Sequence, residues 1–476
     1  MLLQKSRYHG VAAEIQLQIE QRIWLPGERI PSIRKMSRIQ NISPMTVLKA
    51  YELLEAEGWI YAKPRSGYFV AAHLNRLAIP QQTIPQLTNR AIKINEHVFE
   101  VLTACKRPDI VPLGSAFPDP ELFPLKELGQ ALAKTIKTMP AISAVTELPP
   151  GSVALRRAIA QRYIRDGIDV SIEDIVITSG AMESLGLSLM AVTKPGDTVA
   201  IESPAFYGVL QTVERLQLKA IEITTDPQFG MSVDALQHAV QHHDIKACWL
   251  MSKYQNPLGA SMPKQDKLAL LDVLTKAQIP LLEDDVYSEL YFSEQKPQPI
   301  KAYDEQGLVL HCSSFSKCLA PGFRVGWVVA GRYAKQIEQL QLMTTLSAAV
   351  PNQLAIAEFV LYGRYDIHLR QLRRQLTSRQ QQMQHAIEEC FPAETKITRP
   401  SGGYFLWLVL PEHINTGELL HTLLDQYNIS IAPGTLFASD HKYKNCMRIN
   451  CSYLLTDKIR AALITLARCI SSSPHK

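Results

Sequence analysis

The chain has 476 residues, of which 46% are apolar and 20% charged, and a formal net charge of +5 at pH 7. At roughly 100–200 residues per domain, this length and ordinary globular composition predict two or more soluble domains. They exclude a chain that is disordered, collagen-like or coiled-coil throughout, and no uncharged apolar stretch approaches the ~20 residues of a membrane-spanning helix.

The first 72 residues are more basic than the rest. They carry ten Lys and Arg against six Glu, whereas the remaining residues are nearly neutral. A small basic domain on a neutral body indicates a polyanionic partner. Charge alone would be explained equally well by the ordinary surface of a small domain.

Three short helices and a hairpin are predicted in this basic segment. Apolar residues recur at helical spacing over residues 12–23, 33–39 and 47–54. Ser32 and Ser43 are suitable N-caps for the second and third helices. Two short alternating stretches around a basic tip then predict a β-hairpin. This order is that of a winged helix-turn-helix, whose third helix lies in the DNA major groove and whose hairpin reaches phosphates or the minor groove.

The same segment resembles the DNA-binding domain of the GntR family of bacterial repressors. The matching stretches, spread over about sixty residues, read PGERIPSIRKMS, ISPMTVLKAYELLEAEGWI and SGYFV. The resemblance implies binding to double-stranded operator DNA through Arg34, Ser43, Thr46, Lys49, Arg65 and Gly67. Pro44 and Leu48 replace residues that are often basic or polar in the family, so base recognition is not expected of them. A helical bundle that contacts only proteins is the minority alternative.

Residues 73–95 are rich in Gln, Pro, Asn and Thr and have no sustained apolar period. They are predicted to be an interdomain linker with loose polyproline-II character. The predicted domains are therefore a winged helix-turn-helix at 1–72, a linker at 73–95 and a large domain at 96–476.

The large domain is predicted to be α/β, with a mainly parallel sheet and a smaller C-terminal α+β part. Short apolar runs with little alternation are followed by helical patterns, as in a sheet covered by helices on both faces. In such sheets the chemistry lies beyond the carboxyl ends of the strands. The predicted strands are 175–177, 198–201, 248–251, 280–282, 309–311 and 327–329.

Residues suited to one particular ligand follow five of these runs. Residues 178–183 form a strand-to-helix turn that favours an anion, and an aromatic at 206 is placed to stack on a ring. Asn256, the pair Asp284 and Tyr287, and the segment 314–324 supply an amide, a carboxylate, a phenol, hydroxyls, an amine and a guanidinium. Each has an ordinary structural explanation by itself. Together they describe a ligand with a phosphate, a pyridine nitrogen, a phenolic oxygen and an aldehyde, which is pyridoxal 5′-phosphate (PLP).

In this ordered set, residues 96–476 resemble the fold-type I aminotransferases. The resemblance implies that Lys317 forms an internal aldimine with PLP and that Asp284 pairs with the pyridine nitrogen. It also implies that Arg448 binds the carboxylate of an amino acid. The remaining implied contacts are Asn256 and Tyr287 with the phenolate oxygen, Phe206 on the ring, and Ala181, Met182, Ser314, Ser316 and Arg324 with the phosphate.

Two positions depart from the aminotransferase pattern. Thr146 stands where the family often has a tyrosine that reaches the neighbouring subunit's phosphate, and Glu183 stands where an amide is common. Both are expected to weaken cofactor affinity or turnover. The cluster His242-His243-Asp244 is predicted to be a solvated surface rather than a metal site.

The combination of both parts resembles the MocR subfamily of bacterial transcription regulators. The resemblance implies a PLP-dependent, DNA-binding homodimer that senses PLP, an amino acid or an amine. A working PLP-dependent aminotransferase with a regulatory head is the alternative, and an inert dimerisation scaffold ranks last because the PLP residues are intact. Eight scattered cysteines without a Cys-x-x-Cys pair, and a start without the apolar core of a signal peptide, favour a cytoplasmic location.

Overall fold

The computed structural model describes residues 7–21, 23–25, 27–56, 58–63, 66–71, 77–83, 90–91, 97–143, 147–440 and 442–472. Its N-terminal domain has three helices followed by an antiparallel hairpin, in the order predicted from the sequence. These elements are α1 (Arg7–Glu20), α2 (Ile33–Gln40), α3 (Pro44–Ala56), β1 (Ile60–Lys63) and β2 (Gly67–Val70).

Local sequence signals explain how the second and third helices begin. The Ser32 hydroxyl accepts a hydrogen bond from the Lys35 N–H at 3.3 Å, and the Ser43 hydroxyl accepts one from the Thr46 N–H at 3.1 Å. Asn41, at φ 49°, takes the left-handed conformation that makes the tight turn between these helices. The predicted apolar stripes were too long, because Ile23 and Ile39 are 58% and 59% exposed.

The described parts of the predicted linker are not loose. Leu77 is buried in the main core of the large domain, and the backbone oxygen of Ala78 accepts a hydrogen bond from the Ile397 N–H at 2.9 Å. Arg90–Ala91 forms strand β3, which pairs antiparallel with Ala220 and Lys219. Since these contacts are mostly backbone pairing, the polar composition of the segment gave no sign of them.

Twelve further helices lie within the described part of the large domain. They are α4 (His97–Ala104), α5 (Leu125–Thr138), α6 (Val153–Arg165), α7 (Ala181–Val192), α8 (Tyr207–Arg215), α9 (Val233–His242), α10 (Lys264–Lys276), α11 (Ala334–Thr344), α12 (Val350–Leu361), α13 (Arg364–Cys390), α14 (Thr416–Tyr427) and α15 (Asp457–Ser472). None of the helices described here has the length and apolar character that a membrane crossing requires.

The strands of this domain form a large sheet, a smaller antiparallel sheet and one short parallel pair. They are β4 (Val111–Pro112), β5 (Ile175–Thr178), β6 (Thr198–Ser203), β7 (Lys219–Asp226), β8 (Gly230–Met231), β9 (Ile245–Leu250), β10 (Leu281–Asp284), β11 (Val309–Ser314), β12 (Gly326–Val329), β13 (Lys396–Ile397), β14 (Phe405–Val409), β15 (Ile429–Ser430), β16 (Ala432–Pro433) and β17 (Cys446–Asn450).

The large sheet has the strand order β3-β7-β6-β9-β10-β11-β12-β5, with β8 on β7. Its central strands β7, β6, β9, β10 and β11 are parallel, which confirms the mainly parallel sheet. Strand β12 is antiparallel to both of its neighbours. A short buried run such as Trp327–Val329 has the same apolar pattern in either direction, so the sequence could not distinguish the two.

A helix packed on the large sheet and a strand of the smaller sheet bring the site together. Helix α7 packs against β10, β11 and β12, and the carboxyl ends of β10 and β11 lie side by side because the two strands are parallel and in register. The smaller sheet, in the order β13-β14-β17-β16, carries Arg448 on β17 between Trp407 and Ala432. The site therefore combines the edge of the large sheet with one strand of the C-terminal part.

Candidate functional site

Lys317 lies in the loop after β11 with its amine enclosed by the protein. Its Nζ donates a hydrogen bond to the Ala116 oxygen at 2.8 Å and lies 4.5 Å from the centre of the Phe117 ring. Burial and the Arg448 cation lower the pKa of the Lys317 amine to about 7, against the opposing charge of Asp284. A substantial fraction of this amine is therefore neutral and nucleophilic near neutral pH.

Asp284 is the last residue of strand β10 and is 2% exposed. Its Oδ1 is buried and has no hydrogen-bond partner among the described residues. Burial and the neighbouring charge of Asp285 raise the pKa of Asp284 to about 7. Because buried carboxylate oxygens are rarely left unpaired, this oxygen indicates a ligand with an N–H donor.

Arg448 and Asn256 form a second polar pair, although they are far apart in the sequence. Arg448 is 1% exposed, and its Nη1 donates to Asn256 Oδ1 at 3.0 Å while its Nη2 donates to the Gly114 oxygen at 2.9 Å. The Nε–H of the same guanidinium is buried without a partner among the described residues. This oriented cation is suited to bind a carboxylate.

Tyr287 is buried near this pair. Its ring lies edge-on to Tyr404 and Phe405, with centroids 5.5 and 5.8 Å away. Burial raises the pKa of the Tyr287 phenol, so the hydroxyl stays protonated and able to donate.

An anion cradle is formed around Arg324. Its Nη2 donates to the Ser179 oxygen at 2.8 Å and its Nη1 to Ser316 Oγ at 3.4 Å. Gly180 has φ +106°, and a Cβ there would lie 2.4 Å from Arg324 Nη2, so only glycine fits. The backbone N–H groups at the start of α7 complete a positive environment. The structure places the other predicted phosphate residues here as well: Ala181 and Met182 begin α7, and Ser314 Oγ accepts from the Ser316 N–H.

Phe206 caps α8 and lies beside the first turn of α7. A Cβ on Gly208 would be 2.5 Å from the Phe206 ring and 3.0 Å from Met182 Cε, which shows that the two side chains meet over the start of α8. Phe206 is half-buried, with its ring 4.5 Å from that of Tyr207.

The two departures from the aminotransferase pattern differ in what the structure shows. Glu183 Oε2 accepts the Ser179 N–H, and its Oε1 accepts the Thr345 hydroxyl. Its charge is therefore held by the turn before α7 and the end of α11, and it occupies one N–H of that turn. Thr146 lies outside the described residues.

A buried ion network that the sequence did not predict lies directly behind Asp284. Asp285 Oδ2 lies 2.8 Å from Lys253 Nζ and 2.8 Å from His311 Nε2, and the Lys253 and Asp285 side chains are 0% and 2% exposed. The Tyr163 hydroxyl lies 2.6 Å from His311 Nδ1. Burial opposes the charge of Asp285, but Lys253 and His311 outweigh it and hold its pKa well below the usual range. Because Asp285 follows Asp284 directly, this network fixes the end of β10.

The predicted DNA-contacting residues lie on one domain, mostly on its surface. Arg34, Ser43 and Lys49 are exposed, and Thr46 Oγ1 lies 2.8 Å from Ser43 Oγ. Gly67 has φ +99° at the start of β2, next to the hairpin turn, where Arg29 lies 3.2 Å from the position of a Cβ. Arg65 lies outside the described residues.

The cluster at 242–244 does not converge on one point. The His242 ring stacks on His238 with centroids 4.1 Å apart, whereas Asp244 pairs with Lys246 at 2.6 Å. Within the described ranges, no group of three or more His, Cys, Asp or Glu side chains is arranged to hold a metal ion.

Comparison with known proteins agrees with the two-part architecture. Residues 7–70 match the model of bacterial regulatory proteins of the gntR family, and residues 108–466 match that of aminotransferase class I and II. The chain is 47% identical to the HTH-type transcriptional regulator YdcR of Escherichia coli K12, over 98% of this chain and 99% of that protein. It is 39% identical to YjiR of the same organism, over 96% of this chain and 97% of that one.

Solved structures of aminotransferases match the large domain. The kynurenine aminotransferase of Pyrococcus horikoshii superposes with a TM-score of 0.73 and 30% identity, over 80% of this chain and 95% of the enzyme. The chain therefore belongs to the MocR subfamily of GntR-type transcription regulators, in which a helix-turn-helix domain is fused to an aminotransferase class I and II domain.

Proposed function

We propose that the aminotransferase-like domain binds PLP and uses it to sense an amino acid or an amine, and that this binding changes the affinity of the protein for operator DNA. The observation that carries the proposal is a buried Asp284 oxygen that has no hydrogen-bond partner among the described residues, at the same edge of the sheet as the Lys317 amine, whose pKa is lowered. The similar kynurenine aminotransferase was solved with PMP, which supports a cofactor of this class.

The donor set of the site fits PLP. Asp284 would accept the pyridine N–H, and Asn256 and Tyr287 would bind the ring oxygen. The cradle of Arg324, Ser316 and the α7 N-terminus would bind the phosphate. When bound, PLP supplies an aldehyde that condenses with primary amines and an electron-withdrawing ring.

The side chains of the site then have separate tasks. Lys317 holds or releases a proton at Nζ, because the pKa of its amine lies near neutrality. Arg448 binds the carboxylate of an incoming amino acid and, through Asn256, keeps it at one edge of the site. The aromatic and backbone groups around Lys317 exclude water from its amine.

The N-terminal domain binds the operator DNA in this proposal. We propose a homodimer whose two N-terminal domains, residues 1–72 and called the heads below, bind two DNA half-sites. The effector shifts the balance between two arrangements of these heads. An active aminotransferase is the second candidate, because Lys317, Asp284 and Arg448 together are also what the first half of a transamination needs.

One titration distinguishes the two candidates. The purified full-length protein is loaded with PLP, and single amino acids and amines are added while the visible absorption, operator affinity and keto-acid content are measured. A regulator is expected to change its DNA affinity with less than one keto acid released per subunit. Repeated turnover with a keto-acid acceptor, without a change in DNA affinity, would establish the enzyme instead.

The salt dependence of operator binding tests the role of the N-terminal domain. Lys49→Ala is expected to weaken operator binding and to reduce the slope of log K against log salt by about 0.9, the value for one lost phosphate contact. Lys335→Ala, which changes an exposed lysine on α11, is the matched control and should leave the slope unchanged. An unchanged slope for Lys49→Ala would mean that Lys49 does not contact a DNA phosphate.

A further inference from the structure

A small, apolar cavity adjoins the Arg448 guanidinium. Its volume is about 10 Å³, roughly the room of one water molecule. Among the described residues, the Tyr207 phenol is the one polar side-chain group besides Arg448 at this cavity, which has neither a carboxylate nor a second cation. The apolar lining consists of Val98, Val101 and Leu102 of α4 together with Ala116, Ala432 and Leu436.

The Arg448 guanidinium is positioned to bind an anion but has no acidic partner among the described residues. Its guanidinium lies 4.1 Å from the Phe405 ring and 5.2 Å from the Phe437 ring, and its Nε–H is buried and unpaired. The two oxygens it contacts, on Asn256 and Gly114, are neutral. A carboxylate placed here would supply the missing counter-charge.

We propose that the effector is an α-amino acid with an apolar side chain, bound with its carboxylate on Arg448 and its side chain against α4. This inference rests on the proposed function, because it concerns the ligand of the same site. An acidic or basic side chain would lose its hydration in this lining without gaining a counter-charge, which disfavours its binding strongly. An aliphatic or aromatic side chain gains from the same burial.

The position of α4 connects this ligand to the DNA-binding head. The cavity is smaller than any amino-acid side chain beyond a methyl group, so Val98 and Val101, 2% and 4% exposed, must move when the side chain binds. Helix α4 begins at His97, shortly after strand β3 at Arg90–Ala91, on the path of the chain from the head to the body. A contact of 3.0 Å between Glu100 Oε1 and His421 Nδ1 joins α4 to α14. A shift of α4 therefore acts directly on the segment that leads to the head.

The test uses the full-length protein loaded with PLP and compares L-leucine and L-phenylalanine with L-glutamate and L-lysine. The half-saturating concentration is measured by the change in visible absorption and, separately, by the change in operator affinity. The apolar amino acids are expected to saturate the protein at concentrations at least about tenfold lower than the charged ones. If glutamate or lysine saturates at the lower concentration, the inference is wrong while the proposed function stands. If none of the four changes either signal, the proposed sensing of amino acids fails.

Two variants on α4 locate the subsite. Val101→Ala is expected to lower the half-saturating concentration of phenylalanine about fivefold relative to that of leucine, because it removes two methyl groups that the larger side chain must displace. Phe99→Ala is the matched control, since Phe99 is 63% exposed on the same helix. Equal effects of Val101→Ala on phenylalanine and leucine would place the side chain of the ligand elsewhere.

Discussion

Replacing Lys317 with alanine is expected to abolish the visible absorption band of the PLP-loaded protein and its response to amino acids, while DNA binding remains. The Lys317 amine lies just beyond the carboxyl end of β11 and can condense with an aldehyde, whereas alanine has no nucleophile. The fold should tolerate the change, because the lowered pKa of this lysine shows that its buried charge is not a stabilising contact. Absorption spectra and operator binding of the purified variant measure both effects.

Two control variants distinguish the loss of the nucleophilic amine from the loss of the positive charge. Lys317→Arg keeps a cation but has no nucleophilic amine, so its band should also be lost. Lys335→Ala removes an 81% exposed lysine and should keep the band. A band of normal intensity in Lys317→Ala would mean that another amine holds the cofactor, and the assignment of this site would be wrong.

Lys253→Met is expected to lower the free energy of unfolding of the large domain by about 3–5 kcal/mol, the cost of leaving one charge of a buried pair uncompensated. Lys253 Nζ bonds Asp285 at 2.8 Å and the Pro297 oxygen at 3.2 Å, and its side chain is fully buried. Methionine has a similar shape but leaves the Asp285 carboxylate with the His311 ring as its remaining side-chain hydrogen-bond partner among the described residues. Urea unfolding followed by the fluorescence of the large domain measures the change.

The control for this prediction is an exposed pair. Lys246→Met breaks the contact with Asp244, whose side chain is 82% exposed, and should cost no more than about 1 kcal/mol. The double variant Lys253→Met with Asp285→Asn should lose less stability than the sum of the single variants, since both charges are then removed together. A cost below about 1 kcal/mol for Lys253→Met would show that the network does not hold the end of β10.

Much of the fold could be predicted because its signals are local. Ser32 and Ser43 cap the helices they were predicted to cap, since a hydroxyl reaches an N–H only three residues away. The predicted strands at 280–282 and 309–311 are present as β10 and β11, which extend to Asp284 and Ser314, because a short, wholly apolar run is typical of a buried strand. Strand β7, with Glu222 and two threonines among its eight residues, lacks that pattern and was not predicted.

The sequence by itself determined which residue types are available to the site, and therefore its chemistry: an amine at 317 and a carboxylate at 284, each after a predicted strand, and a guanidinium at 448. The tertiary structure alone decided which of these groups keep an unpaired atom. The Arg448 guanidinium meets Asn256 from 192 positions away, and the charge of Asp285 is balanced by Lys253 and His311 from two other segments. Burial and charge balance depend on every chain segment that packs around an atom, and such distant partners leave no pattern in a local stretch of sequence.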